Sequence, residues 1–165
     1  MPATMIRVQS NKWIKNQLAT YGSTYKTVLN LGCGNDDDKE GGAYSKYFKA
    51  QSIVCSDIKK TRATTEIFPA ERIPYPDGAF NFVFCNWVIY KTDWYDAIKE
   101  IERVLAESGR FIISYANSEV PFSTMAAIDT ELYVEFNILA RKEFHKVKRG
   151  ALEYEAVILF GEKNV

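Results

Sequence analysis

The stretch Val28-Leu29-Asn30-Leu31-Gly32-Cys33-Gly34 constrains the fold more than any other part of the chain. Its first four residues are apolar apart from Asn30 and do not alternate, which is the pattern of a strand buried on both faces. Gly32 and Gly34 then supply a turn that tolerates positive φ and admits a ligand or another backbone at close range. Strand, glycine turn and helix in succession is how an open α/β sheet builds a cofactor site at its carboxyl edge. Gly-x-Gly after a strand also occurs by chance, so the reading depends on residues at fixed distances further along the chain.

Ser52 to Ser56 reads as a second strand with Asp57 at its carboxyl end, 23 positions beyond Gly34. That is close to the roughly 20 positions that separate a glycine turn from a ribose-binding acid. A carboxylate suits such a place because it accepts bonds from two vicinal hydroxyls. The alternative is a strand-end aspartate capping the next turn; the glycine pair at this distance favours the ribose. Between the two lies a polar loop, Asn35 to Gly42, carrying Asp36, Asp37 and Asp38. Taken singly, each of these is first of all a solvated acid. Together they would repel a phosphate but not a ligand bearing positive charge.

Composition narrows the classes. The 165 residues, 47% hydrophobic and 14% aromatic, suit one packed domain spanning residues 1–165. Lys and Arg number 21 against 21 Asp and Glu, so no strong field draws the chain to nucleic acid or an anionic membrane. Three cysteines at 33, 55 and 85 form no Cys-x-x-Cys pair, which leaves zinc and thioredoxin-like readings without a motif, and no metal site is expected. Cys55 and Cys85 read as small core residues, and a reducing cytoplasm is the expected setting. Met1 to Ser10 lacks an apolar signal segment, and no stretch approaches the roughly 18–20 apolar residues of a membrane span.

Along the chain, Asn11 is expected to cap a helix over Lys12 to Thr20 with Ile14, Leu18 and Tyr21 on one face. Trp13 and Tyr21 either roof a cofactor or, the commoner role, pack on the sheet. A helix is expected to resume at Ala43 with Tyr44, Tyr47 and Phe48 inward. Lys59 to Phe68 shows no convincing helix. Phe80 to Trp87 reads as a buried strand after a Pro-Asp-Gly turn. Asp93 can cap a helix over Trp94 to Glu107, its inner stripe Ala97, Ile98, Ile101, Val104 and Leu105. Lys99, Glu100, Glu102 and Arg103 fall on a solvated face. Ser108-Gly109 is expected to stop this helix before a strand over Arg110 to Ser114. A helix from Ser123 to about Glu135 and a hairpin of Phe144 to Lys148 with Leu152 to Phe160 complete the pattern.

Several of these pieces resemble the class I S-adenosylmethionine-dependent methyltransferases: Leu29 to Gly34, Asp57, Arg72-Ile73-Pro74-Tyr75-Pro76-Asp77-Gly78-Ala79-Phe80, and Ala97 to Arg110. The resemblance covers about residues 27 to 116 and is to a small branch with a proline-aspartate lead-in before the strand that begins at Phe80. It implies a three-layer, Rossmann-like, doubly wound sheet, mostly parallel, with a C-terminal antiparallel hairpin, and S-adenosyl-L-methionine as cofactor. It places Gly32, Cys33 and Gly34 under the methionine and ribose, with Leu31 and Asn35 flanking them. It places Asp57 on the ribose hydroxyls, Ile58 and Glu71 or Arg72 on the adenine, and Asn86 and Trp87 toward methionine and acceptor. That cofactor carries an ammonium and a sulfonium and no phosphate, in keeping with the acidic loop.

The chain departs from the family pattern in places. Asn35 stands for the third glycine, Asn30 for a frequent acid, and Tyr90-Lys91 for a frequent Glu-His pair. The crossover after Asp57 is short by about a helix. Methyl transfer needs donor and acceptor held in line, and a general base is sometimes optional. Tyr90, Asp93 and Tyr115 are the candidate bases or orienters. His145, the sole histidine, falls in a lysine-rich hairpin and reads as a solvated edge. The leading expectation is a methyltransferase for a small-molecule acceptor, with a homodimer or partner subunit allowed. The alternatives are a catalytically silent methyltransferase-like subunit and a dinucleotide oxidoreductase; the missing Gly-x-Gly-x-x-Gly disfavours the latter.

Overall fold

A computed structural model describes residues 4–36, 43–48, 52–118 and 120–164. Helix Thr4–Tyr21 (α1) leads into strand Thr27–Leu31 (β1). Then come strands Ser52–Asp57 (β2), Glu66–Ile67 (β3) and Phe80–Asn86 (β4), followed by helix Trp94–Val104 (α2). Strand Leu105–Ala116 (β5), helix Phe122–Glu135 (α3) and strands Phe136–Lys148 (β6) and Ala151–Lys163 (β7) complete the chain. Among the described residues, seven strands form one sheet in the order β3-β2-β1-β4-β5-β7-β6. Pairs from β3 through β5 are parallel, and β7 runs antiparallel to both its neighbours. The chain reverses at β1, where β2 lies on one side and β4 on the other, and that reversal opens a crevice at the strand tips.

Both faces of the central strands are covered, as their unbroken apolar runs require. Leu29, Val83, Phe111 and Ile113 pack beneath α2 and α3, against Ile98, Ile101, Ile128 and Leu132. Val28, Phe82, Phe84 and Ile112 face α1 through Ile14 and Leu18. Each such side chain contributes about 1.5–3 kcal/mol by leaving water. The α1 face is thin. Where a helix was expected from Ala43, the described residues hold a single 3-10 turn, Ser45–Tyr47. Aromatic rings fill the space instead: Tyr25 and Phe48 lie 4.4 and 5.4 Å from Phe82, and Tyr44 lies 4.8 Å from Phe84.

Three boundaries differ from the sequence reading. Helix α1 begins at Thr4, so Asn11 is an interior, buried residue and not a cap. Helix α2 stops at Val104 because Leu105 turns extended and pairs with Phe80, while the Arg103 carbonyl accepts the Gly78 N–H at 2.9 Å. Ser108, with φ of 58°, then lies in an irregular stretch of β5 and does not end a helix. Strand β6 begins eight residues earlier than Phe144, and its hairpin turns at Arg149-Gly150, both at positive φ as a tight hairpin demands. Among the described residues no helix is long and apolar enough to cross a membrane.

Glu100 and Arg103 are not merely a solvated face. Arg103 donates to the Ile73 and Tyr75 carbonyls at 2.9 and 2.8 Å and pairs with Glu100, which accepts the Ile73 N–H at 2.8 Å. Arg103 also reaches Asp77 at 3.0 Å. The proline-rich lead-in to β4 is thereby clamped to α2. Arg103→Ala should cost about 2 kcal/mol in urea unfolding, since it strips several charge-assisted bonds at once. The Arg103 guanidinium holds the Glu100 carboxyl below the ordinary glutamate range. A lowered folded pKa means stabilisation that is full above the unfolded value and is lost as pH falls through the folded one. The stability gap between the native chain and Glu100→Gln should therefore shrink between pH 7 and pH 3.

Candidate active site

The crevice at the tips of β1, β2 and β4 encloses about 740 Å³, within the range of small-molecule sites. Its floor is the turn after β1. Gly32 and Gly34 have φ of 70° and 54°, a region that side chains enter only with strain. A side chain at Gly32 would meet Val88 at 2.5 Å, whereas among the described residues nothing lies within 4 Å of the same position at Gly34. One glycine is needed for packing, and the other leaves open space above the turn.

The loops after β1 and β2 are tied into one unit. The Cys33 N–H donates to the Ser56 carbonyl at 2.9 Å, and the Gly34 N–H to Asp57 Oδ2 at 3.0 Å. Asp57 Oδ1 accepts the Ile58 N–H at 2.7 Å. The Thr61 hydroxyl donates to the Gly34 carbonyl, and Asn35 Oδ1 accepts the Arg62 N–H at 3.3 Å. Each carboxylate oxygen of Asp57 thus spends one acceptor position on backbone and keeps another. Asp36 is occupied differently from the solvated acid expected: its oxygens accept the Tyr44 and Ser45 N–H groups at 3.0 and 3.3 Å, anchoring the aromatic segment. Asp37 and Asp38 lie outside the described residues.

The opposite wall is the tip of β4. Trp87 has φ of 59°, an uncommon value for a bulky residue and one that clusters at functional sites. Its N–H donates to the Ser114 hydroxyl at 2.9 Å, while that hydroxyl donates to Asn86 Oδ1. Among the described residues the buried Trp87 indole N–H has no hydrogen-bond partner.

Leu31, Gly32, Cys33, Gly34, Asn35, Asp57, Ile58, Glu71, Asn86 and Trp87 all line this crevice, as does Asp93. Arg72 does not; its N–H closes a turn onto the Pro69 carbonyl at 3.2 Å. Ile58 is 74% exposed at the rim, an apolar surface that no described residue covers. Tyr90 and Tyr115 are buried and do not line the crevice. Tyr115 donates to Asp129, which also holds Arg141, and burial together with that carboxylate pushes the phenol pKa well up. His145 stands on the hairpin, 3.2 Å from Glu143 and 4.0 Å from Glu155, and is no part of the crevice. Tyr21 stacks on Phe160 at 5.9 Å and Trp13 packs on the sheet, so neither roofs the site.

Arg7 and Asn11 take that place, together with Tyr44, Lys59 and Lys91. The Tyr44 hydroxyl donates to Asn11 Oδ1, joining α1 to the 3-10 segment, and burial pushes the Tyr44 pKa up. Sequence reasoning misses these residues because α1 starts a full two turns before the expected cap. A helix begun at Thr4 carries positions 7 and 11, one turn apart, on one face.

The donor set fits a nucleoside that carries an ammonium. Four carboxylates and three cationic side chains line the crevice, Asp57 among them keeps acceptor capacity beyond its backbone bonds, and the turn at Gly34 leaves room for close approach. Fold and site together define a Rossmann-like domain with a nucleoside-type crevice. Residues 29–113 match the family model for the methyltransferase domain, and the chain belongs to this family, the class I S-adenosylmethionine-dependent methyltransferases. No curated protein matches the chain.

Solved structures are similar in fold. The [4+2]-cyclase SpnF superposes with a TM-score of 0.67 at 14% identity, over 90% of this chain and 80% of its own. N-methyltransferase NodS from Bradyrhizobium japonicum WM9, in complex with S-adenosyl-L-homocysteine, gives 0.64 at 11% identity over 93% and 87%. The 1,6-didemethyltoxoflavin-N1-methyltransferase from Burkholderia thailandensis, with its namesake compound and S-adenosylhomocysteine bound, gives 0.61 at 13% over 90% and 77%.

Proposed function

We propose that this chain, as one catalytic domain, binds S-adenosyl-L-methionine in the crevice and transfers its methyl group to a small-molecule acceptor. The observation that carries the reading is the Gly34–Asp57 arrangement: an open glycine turn hydrogen-bonded to a carboxylate that retains acceptor capacity on both oxygens. In this reading Asp57 accepts from the ribose hydroxyls, Ile58 and Glu71 flank the adenine, and the turn from Leu31 to Asn35 runs beneath the ribose and methionine. Asn86 and Trp87 form the wall shared with the acceptor. The cofactor, when bound, supplies a methyl carbon already activated by its sulfonium. The chain's own work is then to orient the acceptor and exclude water. The methyltransferase of like fold solved with 1,6-didemethyltoxoflavin bound supports a small acceptor. The silent-subunit alternative, which Tyr90-Lys91 in place of the Glu-His pair motivates, has no support from the family model.

Among the three candidate bases, Asp93 is the one at the crevice and is assigned to hold or receive the acceptor's proton. Asp93→Asn should lower kcat by a factor on the order of ten to a hundred while S-adenosylhomocysteine affinity stays unchanged. The test of the function is transfer of an isotope-labelled methyl group to a panel of amine, phenol and carboxylate acceptors. Label in an acceptor product supports the reading, and label in none, with cofactor bound, overturns it in favour of the silent-subunit alternative.

A further inference from the structure

The β6–β7 hairpin carries a side-chain group that methyl transfer leaves unused. Glu143 and His145 stand two positions apart on β6 and so project from the same face. His145 lies directly opposite Glu155 in the antiparallel register. Its Nε2 is 3.2 Å from Glu143 Oε2, and its Nδ1 is 4.0 Å from Glu155 Oε1. One donor atom from each of the three residues falls within 4.8 Å of the other two.

The group is oriented from both sides. Arg141 Nε binds the other oxygen of Glu143, Oε1, at 2.5 Å, and Asp129 of α3 holds Arg141 in turn. That leaves Glu143 Oε2 directed at the imidazole. Glu155 is fixed through its backbone: its N–H donates to Asn117 Oδ1 at 3.0 Å, and its carbonyl accepts the Asn117 N–H at 3.1 Å. Asn117 follows the last residue of β5, so the group sits just past that strand's carboxyl end. Glu143 is opposite Val157, which places the two carboxylates on a diagonal across the strand pair. Like charges so placed repel. Arg141 offsets one of them, and a cation between them would offset the other.

We propose that Glu143, His145 and Glu155 bind one divalent transition-metal ion of the zinc class, each giving one donor atom, with water in the remaining position. Zinc takes imidazole nitrogen and carboxylate oxygen at about 2.0–2.2 Å, which sets tetrahedral donors roughly 3.4 Å apart. The 3.2 and 4.0 Å separations on the two sides of the ring are of that size. All three side chains are open to solvent, so an ion reaches them and the ring can turn to present one nitrogen. Imidazole with carboxylates suits zinc, nickel or copper, whereas magnesium prefers an all-oxygen set. Arg141 and Asn117 supply the outer contacts that keep such ligands in place. The ion would tie β6 to β7 across the hairpin, a role independent of the crevice and of the cofactor.

The test is calorimetric titration of the full, untagged chain with zinc chloride, with magnesium chloride as the comparison. The expected result is saturable binding of one zinc per chain, at least tenfold tighter than magnesium, and a melting temperature that rises with zinc. His145→Ala and, independently, Glu155→Gln should each weaken zinc at least tenfold, while urea unfolding without metal confirms that both variants fold. Cys33→Ala, which removes the partly exposed thiol, should leave zinc affinity unchanged. Absence of saturable zinc binding overturns the proposal. So does zinc affinity that His145→Ala leaves intact, or that Cys33→Ala abolishes.

Discussion

Gly32→Ala is expected to be the most damaging single substitution at the site, destabilising the chain by about 3 kcal/mol and abolishing measurable S-adenosylhomocysteine binding. Two effects add. A side chain at φ of 70° is strained by roughly 1–2 kcal/mol. The new Cβ would also stand 2.5 and 2.7 Å from the two methyl carbons of Val88, and overpacking of this kind costs about 1–3 kcal/mol. Val88 is β-branched and stiff at χ1, so it yields only by moving its backbone, which sits at the tip of β4 beside Trp87. Urea unfolding checks the stability, and the double variant Gly32→Ala with Val88→Ala separates the effects. Removing the methyls relieves the overlap and leaves the φ strain, so about half the loss should return. No recovery in the double variant would mean that the contact with Val88 is not the cause.

Asp57→Ala should weaken S-adenosylhomocysteine at least tenfold, about 1.4 kcal/mol, with the fold intact. The carboxylate both accepts the Gly34 N–H and offers the remaining oxygen positions to vicinal hydroxyls. Asp57→Asn retains one carbonyl oxygen and should fall between the two. Calorimetry reads both variants, and an unchanged dissociation constant in Asp57→Ala would remove the ribose assignment. A matching loss of unfolding free energy would recast Asp57 as a structural tie between the loops.

Much of the frame can be read from residue types alone. Val28 to Leu31 is a strand covered on both faces, and an unbroken apolar run admits few other readings. The order of strands accords with the glycine turn, the acid at the end of β2 and the terminal hairpin. The start of α1 is illegible because its first turns mix Arg7, Gln9 and Ser10 with apolar residues. Ser10 is nonetheless buried, its hydroxyl donating to the Ile6 carbonyl at 2.7 Å, and periodicity misses such a residue. The end of α2 is set by a partner distant in sequence, Phe80, drawing Leu105 into the sheet against a local preference that runs on toward Gly109. The early part of β6 alternates weakly, being an edge strand, and escapes a reading by period for that reason.

At the site the pattern is the same. Residues attached to the glycine turn and to Asp57 are legible because spacing carries them. Arg7, Asn11 and Tyr44 reach the crevice only through tertiary packing, and the clamp of Glu100 and Arg103 on Ile73 and Tyr75 joins segments nearly thirty positions apart. Tyr115 looks available at a strand end, yet burial against Asp129 takes it out of the crevice.

The most direct test of the central claim is titration calorimetry of the reduced native chain with S-adenosylhomocysteine, with NAD and NADP run in parallel. A crevice built on the Gly34–Asp57 tie predicts saturable binding of one S-adenosylhomocysteine per chain and no heat from either dinucleotide. Binding of a dinucleotide in its place, or of none of the three, would contradict it.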